Sequence, residues 1–335
     1  MLGAEVWGYS LTPPTQPALF DQLRLAERLH HAKGDVRDAA KLADALAAAQ
    51  PDFVFHLAAQ SLVRPSYTAP LETFATNIMG TAHLLAGLQT VGKPCVALIV
   101  TSDKCYENHE EGRSYSEGDA LGGRDPYSAS KAAAEIVTAS WRNSFCAPEA
   151  VLAGRTPPVA IASVRAGNVI GGGDWARDRI VPDCIRALAR NEPIRVRNPQ
   201  AVRPWQHVLE PLGGYLLLAT RLARALESRS PELPALCGAF NFGPAVPDHR
   251  TVGELVDEVM KHWPGRWEKT SDSAAVHEAG RLNLATGKAE RLLGWRPRWS
   301  FADAVSQTVA WYRQPDASAE FTRGQIAEFM AKGSS

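Results

Sequence analysis

The sequence has no excess of charge of either sign, no long apolar run and no paired cysteine motif. Its 335 residues include 36 Lys and Arg and 36 Asp and Glu, so the formal net charge is zero. Without a net positive charge, the chain is not expected to bind nucleic acid. The longest apolar run, residues 95–100, is too short to span a bilayer, so no membrane partner is expected either.

Cysteine and histidine are arranged in ways that exclude several kinds of site. The five cysteines form no CxxC pair, which favours reduced thiols over disulfides or a zinc site. The nine histidines show no HExxH or comparable spacing, so no metal ion is expected. No leader with a charged start and an apolar core precedes the first predicted strand. Together these features predict a cytoplasmic protein.

What the sequence does contain is the pattern of an α/β protein. Hydrophobic residues make up 45% and charged residues 21%, a balance typical of a globular protein with a substantial core. Apolar runs alternate with helical patterns through the first half, as in βαβ units around a parallel sheet. Strands are predicted at 5–10, 51–60, 95–100, 159–165 and 237–243, and helices at 38–50, 71–90, 128–141 and 211–228. Residues 147–158, which include three prolines, are predicted to form a surface loop.

The stretch DPYSASK carries the first candidate for chemistry. Tyr127 and Lys131 lie four residues apart, so they share one face of a helix. A tyrosine titrates near ~10, and a neighbouring ammonium group lowers that pKa by stabilising the phenolate. The pair can therefore serve as the proton acceptor in the oxidation of an alcohol. The same spacing arises by chance in many chains, so alone it also fits an ordinary helix surface.

Two strand ends supply the context for this pair. The strand at 95–100 ends in a polar segment, Thr101, Ser102, Asp103 and Lys104. The strand before it ends in His56, Leu57, Ala58, Ala59 and Gln60. In an open α/β sheet, ligands bind at the carboxyl ends of the strands, and small residues there let a cofactor approach the backbone. Each segment by itself also fits an ordinary strand-to-loop transition.

Five motifs carry a resemblance to one enzyme family. GDVRD, HLAAQ, TSDKCYEN, DPYSASK and NVIGGGDWARDRIVPD resemble the extended short-chain dehydrogenase/reductase family. Within it, the chain is similar to the sugar-nucleotide 4,6-dehydratases, and TSDKCYEN, GGGDWA and RPWQHVLEPL are most similar to their CDP-glucose branch. The similarity extends from the first predicted strand to about Arg313, which is nearly the whole chain.

The resemblance implies a fold, a cofactor and a reaction. The fold would be α/β, with a doubly wound Rossmann-type parallel sheet that binds NAD (1–167 and about 206–245). A smaller interleaved domain (168–205 and about 246–330) would bind the sugar nucleotide. The implied reaction is the NAD-dependent dehydration of CDP-D-glucose to CDP-4-dehydro-6-deoxy-D-glucose. It is an internal redox reaction with loss of water across C5 and C6, and it belongs to deoxysugar biosynthesis.

The resemblance also gives five residues catalytic roles. Tyr127 would take the proton from the sugar 4-hydroxyl, with Lys131 holding the nicotinamide ribose and lowering the tyrosine pKa. Ser102 would hydrogen-bond the same hydroxyl, and Asp103 would donate a proton to the leaving 6-hydroxyl. Many dTDP-glucose relatives have a glutamate as the C5 base where this chain has Lys104. A lysine acts as a base only when it is neutral, and the alternative is that Lys104 merely pairs with Asp103.

Other positions are implied to bind ligands rather than to react. The implied cofactor-binding residues are Asp35, Val36, Leu57, Ala58, Ala59, Gln60, Asn77, Thr101, Tyr127 and Lys131. The implied substrate-binding residues are Gln60, Arg64, Asn168, Arg179, Arg203 and His207. Asp35 fits equally well as a helix N-cap, as does Asp38. Any one of the arginines also fits a solvated loop position.

One part of the family pattern has no counterpart in the sequence. The family's sheet starts with a strand, a GxxGxxG-type turn that admits the cofactor pyrophosphate, and a helix that ends near LGAEV. Here LGAEV is residues 2–6, and Gly171–173, the remaining glycine triplet, follow a different strand. We expect the full protein to be longer, because the downstream catalytic residues are all retained. We also expect the strands beside the missing one to expose apolar edges.

Other functions remain open at this point. One is epimerisation, or dehydration of another nucleotide sugar, although a simple epimerase has no need of the acid and base at 102–104. Another is non-catalytic binding of a sugar nucleotide by a relative that natively lacks the cofactor turn. Family members commonly pair through two long helices of the sheet domain. A homodimer or higher homo-oligomer is therefore implied, here through the helices at 71–90 and 128–141.

Overall fold

The computed structural model describes residues 3–245, 248–270, 282–314 and 319–333. The strands are β1 (Trp7–Ser10), β2 (His30–Lys33), β3 (Phe53–His56), β4 (Cys95–Val100), β5 (Ser114–Tyr115), β6 (Val159–Ala166), β7 (Val169–Ile170), β8 (Ile194–Val196), β9 (Val202–Arg203), β10 (Gln206–His207), β11 (Ala239–Phe242), β12 (Arg250–Thr251), β13 (Trp267–Lys269) and β14 (Asn283–Leu284). The helices are α1 (Leu19–Gln22), α2 (Ala39–Ala49), α3 (Val63–Thr68), α4 (Pro70–Phe74), α5 (Gly80–Leu88), α6 (Pro126–Phe145), α7 (Pro148–Leu152), α8 (Ile180–Ala189), α9 (Leu209–Glu227), α10 (Leu233–Leu236), α11 (Val252–His262), α12 (Gly287–Leu293), α13 (Phe301–Tyr312) and α14 (Ala319–Ala331). Short 3-10 turns lie at Leu25–Glu27 and Asp103–Cys105, and a π-helical turn lies at Ala75–Met79.

A four-stranded parallel sheet forms the centre of the first half, in the order β11, β6, β4, β3. β4 and β6 pair along their length, with Cys95 opposite Val159 and Val100 opposite Val164. β3 and β11 flank this pair and run in the same direction. Parallel neighbours require long crossover connections, and helices supply them here. All four carboxyl ends therefore meet at one edge of the sheet.

Both faces of this sheet are covered by helices. Successive residues of a strand point to opposite faces. Leu98 packs in one core cluster with Leu218 of α9, whereas its neighbour Ile99 packs in another with Leu42 of α2 and Leu85 of α5. A sheet buried on both faces needs apolar residues at every position, which explains the continuous apolar run of β4. The predicted doubly wound arrangement is present.

The first two strands form a separate parallel sheet. Trp7 lies opposite His30, and Ser10 opposite Lys33. Within the described residues, no strand joins β1 or β2 to the edge strand β3. Apolar side chains on both sheets are open to solvent, with Trp7 45% and Phe53 44% exposed.

Helix α6, which carries Tyr127 and Lys131, is longer than the predicted 128–141. Asp125 caps its N-terminus by accepting a hydrogen bond from the Ser128 N–H at 2.9 Å. Pro126 occupies the first helical position, where an N–H group has no intrahelical partner to lose. This cap fixes where the helix begins and places both side chains in its first two turns.

The long helix predicted at 71–90 is present as one continuous helical stretch, in which the π-helical turn separates α4 from α5. One local prediction is wrong. The segment 147–158 is not simply a surface loop, since it contains α7, whose Pro148 and Val151 are buried. Val151 packs into the same core cluster as α9. Burial against that cluster overrides the loop signal of the prolines.

The second half of the chain builds a core of its own. Helices α8, α11 and α13 pack around short strands, and this cluster includes Ile185, Leu255, Val256, Val305 and Trp311. Among the described residues, no helix is long and apolar enough to cross a membrane. The same residues contain no group of three or more His, Cys, Asp or Glu side chains placed to hold a metal ion.

Candidate active site

A cleft of about 1640 Å³ opens at the carboxyl edge of the four-stranded sheet, facing the second half of the chain. Its lining includes many of the site residues predicted from the sequence, namely Arg64, Ser102, Asp103, Lys104, Tyr127, Asn168, Arg179, Arg203 and His207. Lys131 and Gln60 do not line it, and neither does the rest of the predicted cofactor set apart from Tyr127. The structure thus gathers the predicted catalytic residues other than Lys131, and the predicted substrate residues other than Gln60, around one space.

The segment after β4 forms a tight 3-10 turn at the wall of this cleft. Ser102 is the N-cap of the turn, and its Oγ accepts a hydrogen bond from the Lys104 N–H at 3.2 Å. The same hydroxyl donates to Asp103 Oδ1 at 2.9 Å. An N-cap is where serine is most favoured, because its oxygen satisfies an orphan N–H of the turn. The hydrogen bonds of this turn therefore fix the positions of Ser102, Asp103 and Lys104 relative to one another.

Asp103 is almost completely buried, with 4% of its surface exposed. Burial raises the pKa of its carboxyl group, and this is only partly offset by the charge of Lys104, the Ser102 hydrogen bond and the charge of Arg203. Desolvation disfavours the charged form of a carboxylate. A carboxyl group with a raised pKa holds its proton and can donate it, which is what a general acid requires.

Tyr127 differs from the sequence expectation. Burial raises the pKa of Tyr127 to about 12, and a hydrogen bond with Ser102 and the charge of Arg179 offset only part of this rise. Lys131 is not among the leading causes of this shift, and its Nζ donates a hydrogen bond to the Val100 carbonyl oxygen at 3.2 Å. The phenol is therefore protonated at neutral pH in this structure.

Lys131 is buried beside the end of β4. Burial lowers its pKa to about 8, and the nearby Glu135 carboxylate opposes this shift. Within the described chain, its Nζ makes one hydrogen bond, to Val100 O. Two of its three N–H groups are thus free to donate to a ligand.

Asn77 and Gln60 are engaged with the protein itself. Asn77 lies in the π-helical turn, where its Oδ1 accepts from the Gln60 N–H at 2.8 Å and its Nδ2 donates to the Gln60 carbonyl oxygen at 2.9 Å. The Nδ2 also donates to Ser130 Oγ on α6 at 2.8 Å. The Gln60 side chain bonds the Leu62 backbone and Thr73. These amides fix the loop after β3 against α6.

The residues predicted to hold the adenine end lie after β2. Asp35 accepts two hydrogen bonds from Arg37 Nε, at 3.0 and 2.9 Å, and the hydrogen bonds from Arg37 lower the pKa of Asp35. The helix cap is Asp38 rather than Asp35. Val36 is buried. It packs tightly against Gly80, where an added Cβ would lie 2.6 Å from Val36 Cγ2. The alternative N-cap assignment therefore holds for Asp38, and Asp35 is left as a partly exposed carboxylate at the sheet edge.

Arg179 crosses the cleft. Its Nη1 donates to Asp174 Oδ2 at 3.1 Å and its Nη2 donates to Ser61 Oγ at 3.0 Å. Ser61 follows β3, whereas Asp174 belongs to the glycine-rich segment after β7. Arg179 therefore joins the two walls, with 39% of its side chain still exposed to solvent.

His207 and Arg203 lie on the second-half wall. His207 is buried, and burial lowers its pKa to about 4, so the ring is neutral at pH 7. Its Nδ1 accepts from the Leu209 N–H at 3.3 Å, while its Nε2 has no hydrogen-bond partner among the described residues. Nε2 must then carry the proton. Arg203, on β9, is close enough to lower the pKa of Asp103.

A buried ion pair beneath the site was not found from the sequence. Arg165 donates from Nε and Nη2 to the two carboxylate oxygens of Glu135 at 2.9 and 2.8 Å. Ser163 and Thr101 donate their hydroxyls to the same carboxylate. The Thr101 hydroxyl, predicted to bind the cofactor, is thus committed to the protein. These partners are far apart in the sequence, and no local pattern indicates the pairing.

Comparison with known proteins shows which family has a similar sequence. A family model described as GDP-mannose 4,6 dehydratase matches residues 15–308. A CDP-glucose 4,6-dehydratase of Salmonella typhimurium is 44% identical over 314 residues, which are 93% of this chain and 84% of that protein. A dTDP-glucose 4,6-dehydratase of Streptomyces antibioticus is 30% identical over 285 residues, 84% of this chain and 75% of that protein.

Solved structures agree on the fold. A dTDP-glucose 4,6-dehydratase of Streptomyces venezuelae, solved with NAD bound, matches with a TM-score of 0.69 and 27% identity, covering 86% of this chain and 80% of that one. A UDP-glucuronic acid 4-epimerase of Bacillus cereus matches with a TM-score of 0.75 at 17% identity, covering 92% of this chain and 91% of that one, and supports the fold alone. The predicted Rossmann-type α/β fold is confirmed. Since the family model covers most of its length, the chain belongs to the GDP-mannose 4,6-dehydratase family, within the short-chain dehydrogenase/reductases that its motifs indicated.

Proposed function

We propose that this chain catalyses the NAD-dependent dehydration of CDP-glucose to CDP-4-dehydro-6-deoxyglucose. The observation that carries the proposal is the Ser102–Asp103–Lys104 turn, held next to Tyr127 at the wall of the cleft. Oxidation of an alcohol needs a proton acceptor, and loss of water needs both an acid and a base. The relative at 44% identity, a CDP-glucose 4,6-dehydratase, supports the choice of nucleotide.

The residues at the sheet edge fit the nicotinamide half of NAD. Lys131 has two N–H groups without a protein acceptor in the described chain, as a ribose-binding ammonium requires. Leu57, Ala58 and Ala59 leave the backbone after β3 at least partly open. Asp35 and Val36 would hold the adenine end. The printed sequence contains no GxxGxxG turn for the pyrophosphate.

Tyr127 accepts the proton of the sugar 4-hydroxyl in the first step. Its raised pKa means that a positive charge must be brought close before it can act as a base. When bound, NAD⁺ supplies the hydride acceptor for C4, the hydride later returned to C6, and that positive charge. Ser102 hydrogen-bonds the reacting hydroxyl and aligns it with the phenol.

Asp103 and Lys104 serve the loss of water. With a ketone at C4, the C5 proton becomes acidic, and Lys104 is the group that removes it. Asp103, whose carboxyl pKa is raised by burial, donates a proton to the leaving 6-hydroxyl, and water departs. The nearby charge of Arg203 favours the Asp103 carboxylate that this step leaves behind.

The second-half wall holds the rest of the sugar nucleotide. Arg203 and Arg179 offer planar guanidinium groups, which suit the paired oxygens of a pyrophosphate. The unpartnered Nε2–H of His207 is a donor at this wall. Arg64 and Asn168 line the same cleft and complete the substrate set. The division into an NAD-binding domain and an interleaved substrate domain, at the boundaries predicted above, is part of this proposal.

We also propose that the protein forms a homodimer and that it is located in the cytoplasm. Leu71 of α4, Met79 of the π-helical turn and Ile136 of α6 are 81%, 50% and 57% exposed. Large apolar side chains clustered on neighbouring helices are typical of a surface that a second copy covers. The five cysteines are all free thiols, as a reducing compartment favours.

A substrate panel tests the reaction. The purified chain with added NAD is incubated with CDP-, dTDP-, UDP- and GDP-activated sugars, and products are followed by chromatography and mass spectrometry. We expect loss of water from CDP-glucose at a rate at least tenfold above the others. Equal or faster dehydration of another nucleotide sugar would refute the choice of CDP, and epimerisation without loss of water would refute the reaction.

A further inference from the structure

A second, smaller pocket lies away from the candidate active site. Its volume is about 520 Å³, and it is bounded by α6, α12 and the loop around residues 116–121. None of its lining residues lines the main cleft. Its charged side chains are Arg142, Arg165, Lys288, Arg291, Glu117 and Glu135. Four cations therefore face two carboxylates.

One of these cations is already neutralised within the protein. Arg165 forms the bidentate pair with Glu135 described above and donates its Nη1 to Tyr106 Oη at 2.7 Å. Every N–H-bearing nitrogen of that guanidinium has an acceptor. The excess positive charge of the pocket therefore comes from Arg142, Lys288 and Arg291, against Glu117 alone.

Arg142 contributes a buried hydrogen-bond donor to this pocket. Its Nη1 is buried and has no hydrogen-bond partner among the described residues. Burial lowers the pKa of Arg142, and the charge of Arg165 acts in the same direction. An unpaired buried donor of a charged group costs free energy that an acceptor would recover.

Lys288 is held close to the other cations. Its Nζ donates to the Ala239 carbonyl oxygen at 2.8 Å and lies 4.1 Å from the ring centroid of Phe240. Burial lowers its pKa, Glu117 opposes this, and the charges of Arg142, Arg165 and Arg291 lower it further. Two of its N–H groups are left for another acceptor. Like charges gathered at a partly buried site repel one another unless an anion joins them.

We propose that this pocket binds a phosphate-type oxyanion, with Arg142 and Lys288 as its principal ligands and Arg291 at the rim. A tetrahedral oxyanion offers several acceptor oxygens and the negative charge that the pocket lacks. Guanidinium and ammonium groups are the side chains that bind phosphate groups most strongly. The proposal does not rest on the proposed reaction, since binding is measured without any sugar nucleotide.

Isothermal titration with inorganic phosphate tests the site, using the full chain at low ionic strength. Arginines of the main cleft offer phosphate a second place to bind, so variants are needed to separate the two sites. Arg142→Gln and Lys288→Gln should each weaken one class of phosphate site by about tenfold or more, because each removes a charge-assisted hydrogen bond. Arg155→Gln, at an exposed arginine outside the pocket, should leave the isotherm unchanged.

Two further measurements complete the test. Repeating the titration with glycerol phosphate distinguishes a free phosphate ion from the phosphoryl group of a metabolite, by which of the two binds more tightly. Crystals soaked in selenate should show an anomalous peak between Arg142 and Lys288. Wild-type phosphate binding in whichever of the two variants folds, or no anomalous peak in the pocket, would overturn the proposal.

Discussion

Ser102 donates a hydrogen bond from its Oγ to Asp103 Oδ1 at 2.9 Å, and the same hydroxyl is hydrogen-bonded with Tyr127. One side chain therefore touches both the proposed proton acceptor and the proposed proton donor. This relationship follows from the position of Ser102 as N-cap of the turn that ends β4. It couples the oxidation half of the reaction to the dehydration half.

Removing that hydroxyl should slow the reaction more than it destabilises the fold. Ser102→Ala removes both hydrogen bonds, so kcat for the sugar nucleotide should fall on the order of a hundredfold, as for other preorganised donors. Loss of the cap should cost only about 1 kcal/mol of unfolding free energy. Steady-state kinetics and urea unfolding check the two effects, with Ser102→Thr as the control that keeps a hydroxyl. A rate within about threefold of wild type would contradict the role of Ser102.

Replacing the proposed acid should separate the two halves of the reaction. Asp103→Asn keeps the shape and the neutral charge of the protonated side chain but has no acidic proton. Oxidation at C4 should continue, so reduced cofactor should accumulate while formation of the 6-deoxy product falls by about a hundredfold or more. Rapid mixing with detection of reduced NAD, followed by product chromatography, measures both. Unchanged product formation would show that another group donates the proton.

Replacing the phenol should abolish the reaction before either product forms. Tyr127→Phe retains the buried ring, so folding and NAD content should stay at the wild-type level. Turnover should fall by about a thousandfold or more, because no other described group at this position can take the proton of the 4-hydroxyl. NAD released on denaturation and product formation are measured together. Loss of NAD together with turnover would assign Tyr127 to binding rather than to proton transfer.

The buried ammonium of Lys131 gives a prediction about stability and pH. Its pKa is lowered by burial from 10.5 to about 8. Below pH 8 both the folded and the unfolded chain carry the proton, and folding bears the full cost of burying the charge. Between pH 8 and 10.5 the unfolded chain holds the proton and the folded chain does not, so the stability contribution of this group rises with pH.

Lys131→Met should therefore stabilise the fold at pH 7, by on the order of 3 kcal/mol, while it impairs turnover. The gain should shrink towards zero as the pH approaches 10.5. Urea unfolding of both proteins across this range measures the difference, with the exposed Lys41→Met as the matched control. A variant less stable than wild type at pH 7 would contradict a charge buried at a cost.

Removing one member of the Glu135–Arg165 pair should lower the stability of the fold, whereas removing the charge of Lys131 should raise it. Both side chains are only 3% exposed, so Arg165→Met leaves an uncompensated buried carboxylate. The unfolding free energy should fall by about 3–5 kcal/mol, whereas the double variant Glu135→Met/Arg165→Met should recover most of this loss. Chemical unfolding of the two single variants and the double variant gives the coupling energy. Additive losses in the double variant would mean that the two groups do not act as a pair.

The parts of the site that follow local rules could be predicted from the sequence. The spacing of Tyr127 and Lys131 fixes their common helix face, and the end of the apolar run at Val100 fixes where Ser102 and Asp103 emerge. Each of these inferences needs only the periodicity of one element or the position of its end.

The parts that depend on contacts between distant segments could not be predicted. Ser61 and Arg179 are 118 positions apart, yet they hydrogen-bond across the cleft. The Asn77 amide hydrogen-bonds the Gln60 backbone and Ser130 of α6, 17 and 53 positions away. The spacing of Tyr127 and Lys131 predicted the helix face on which Lys131 lies. It did not predict that Lys131 Nζ would donate a hydrogen bond to the Val100 carbonyl oxygen.

The most direct test of the proposed dehydration is to run the reaction in heavy water. The full chain, NAD and CDP-glucose are incubated in D₂O, and the product is analysed by NMR and mass spectrometry. Removal of the C5 proton, loss of water, return of hydride to C6 and reprotonation of C5 through Lys104, whose N–H groups exchange with solvent, should give a 4-keto-6-deoxy product with one deuterium at C5. A product that keeps its 6-hydroxyl, or a dehydrated product with no deuterium at C5, would contradict the roles assigned to Asp103 and Lys104.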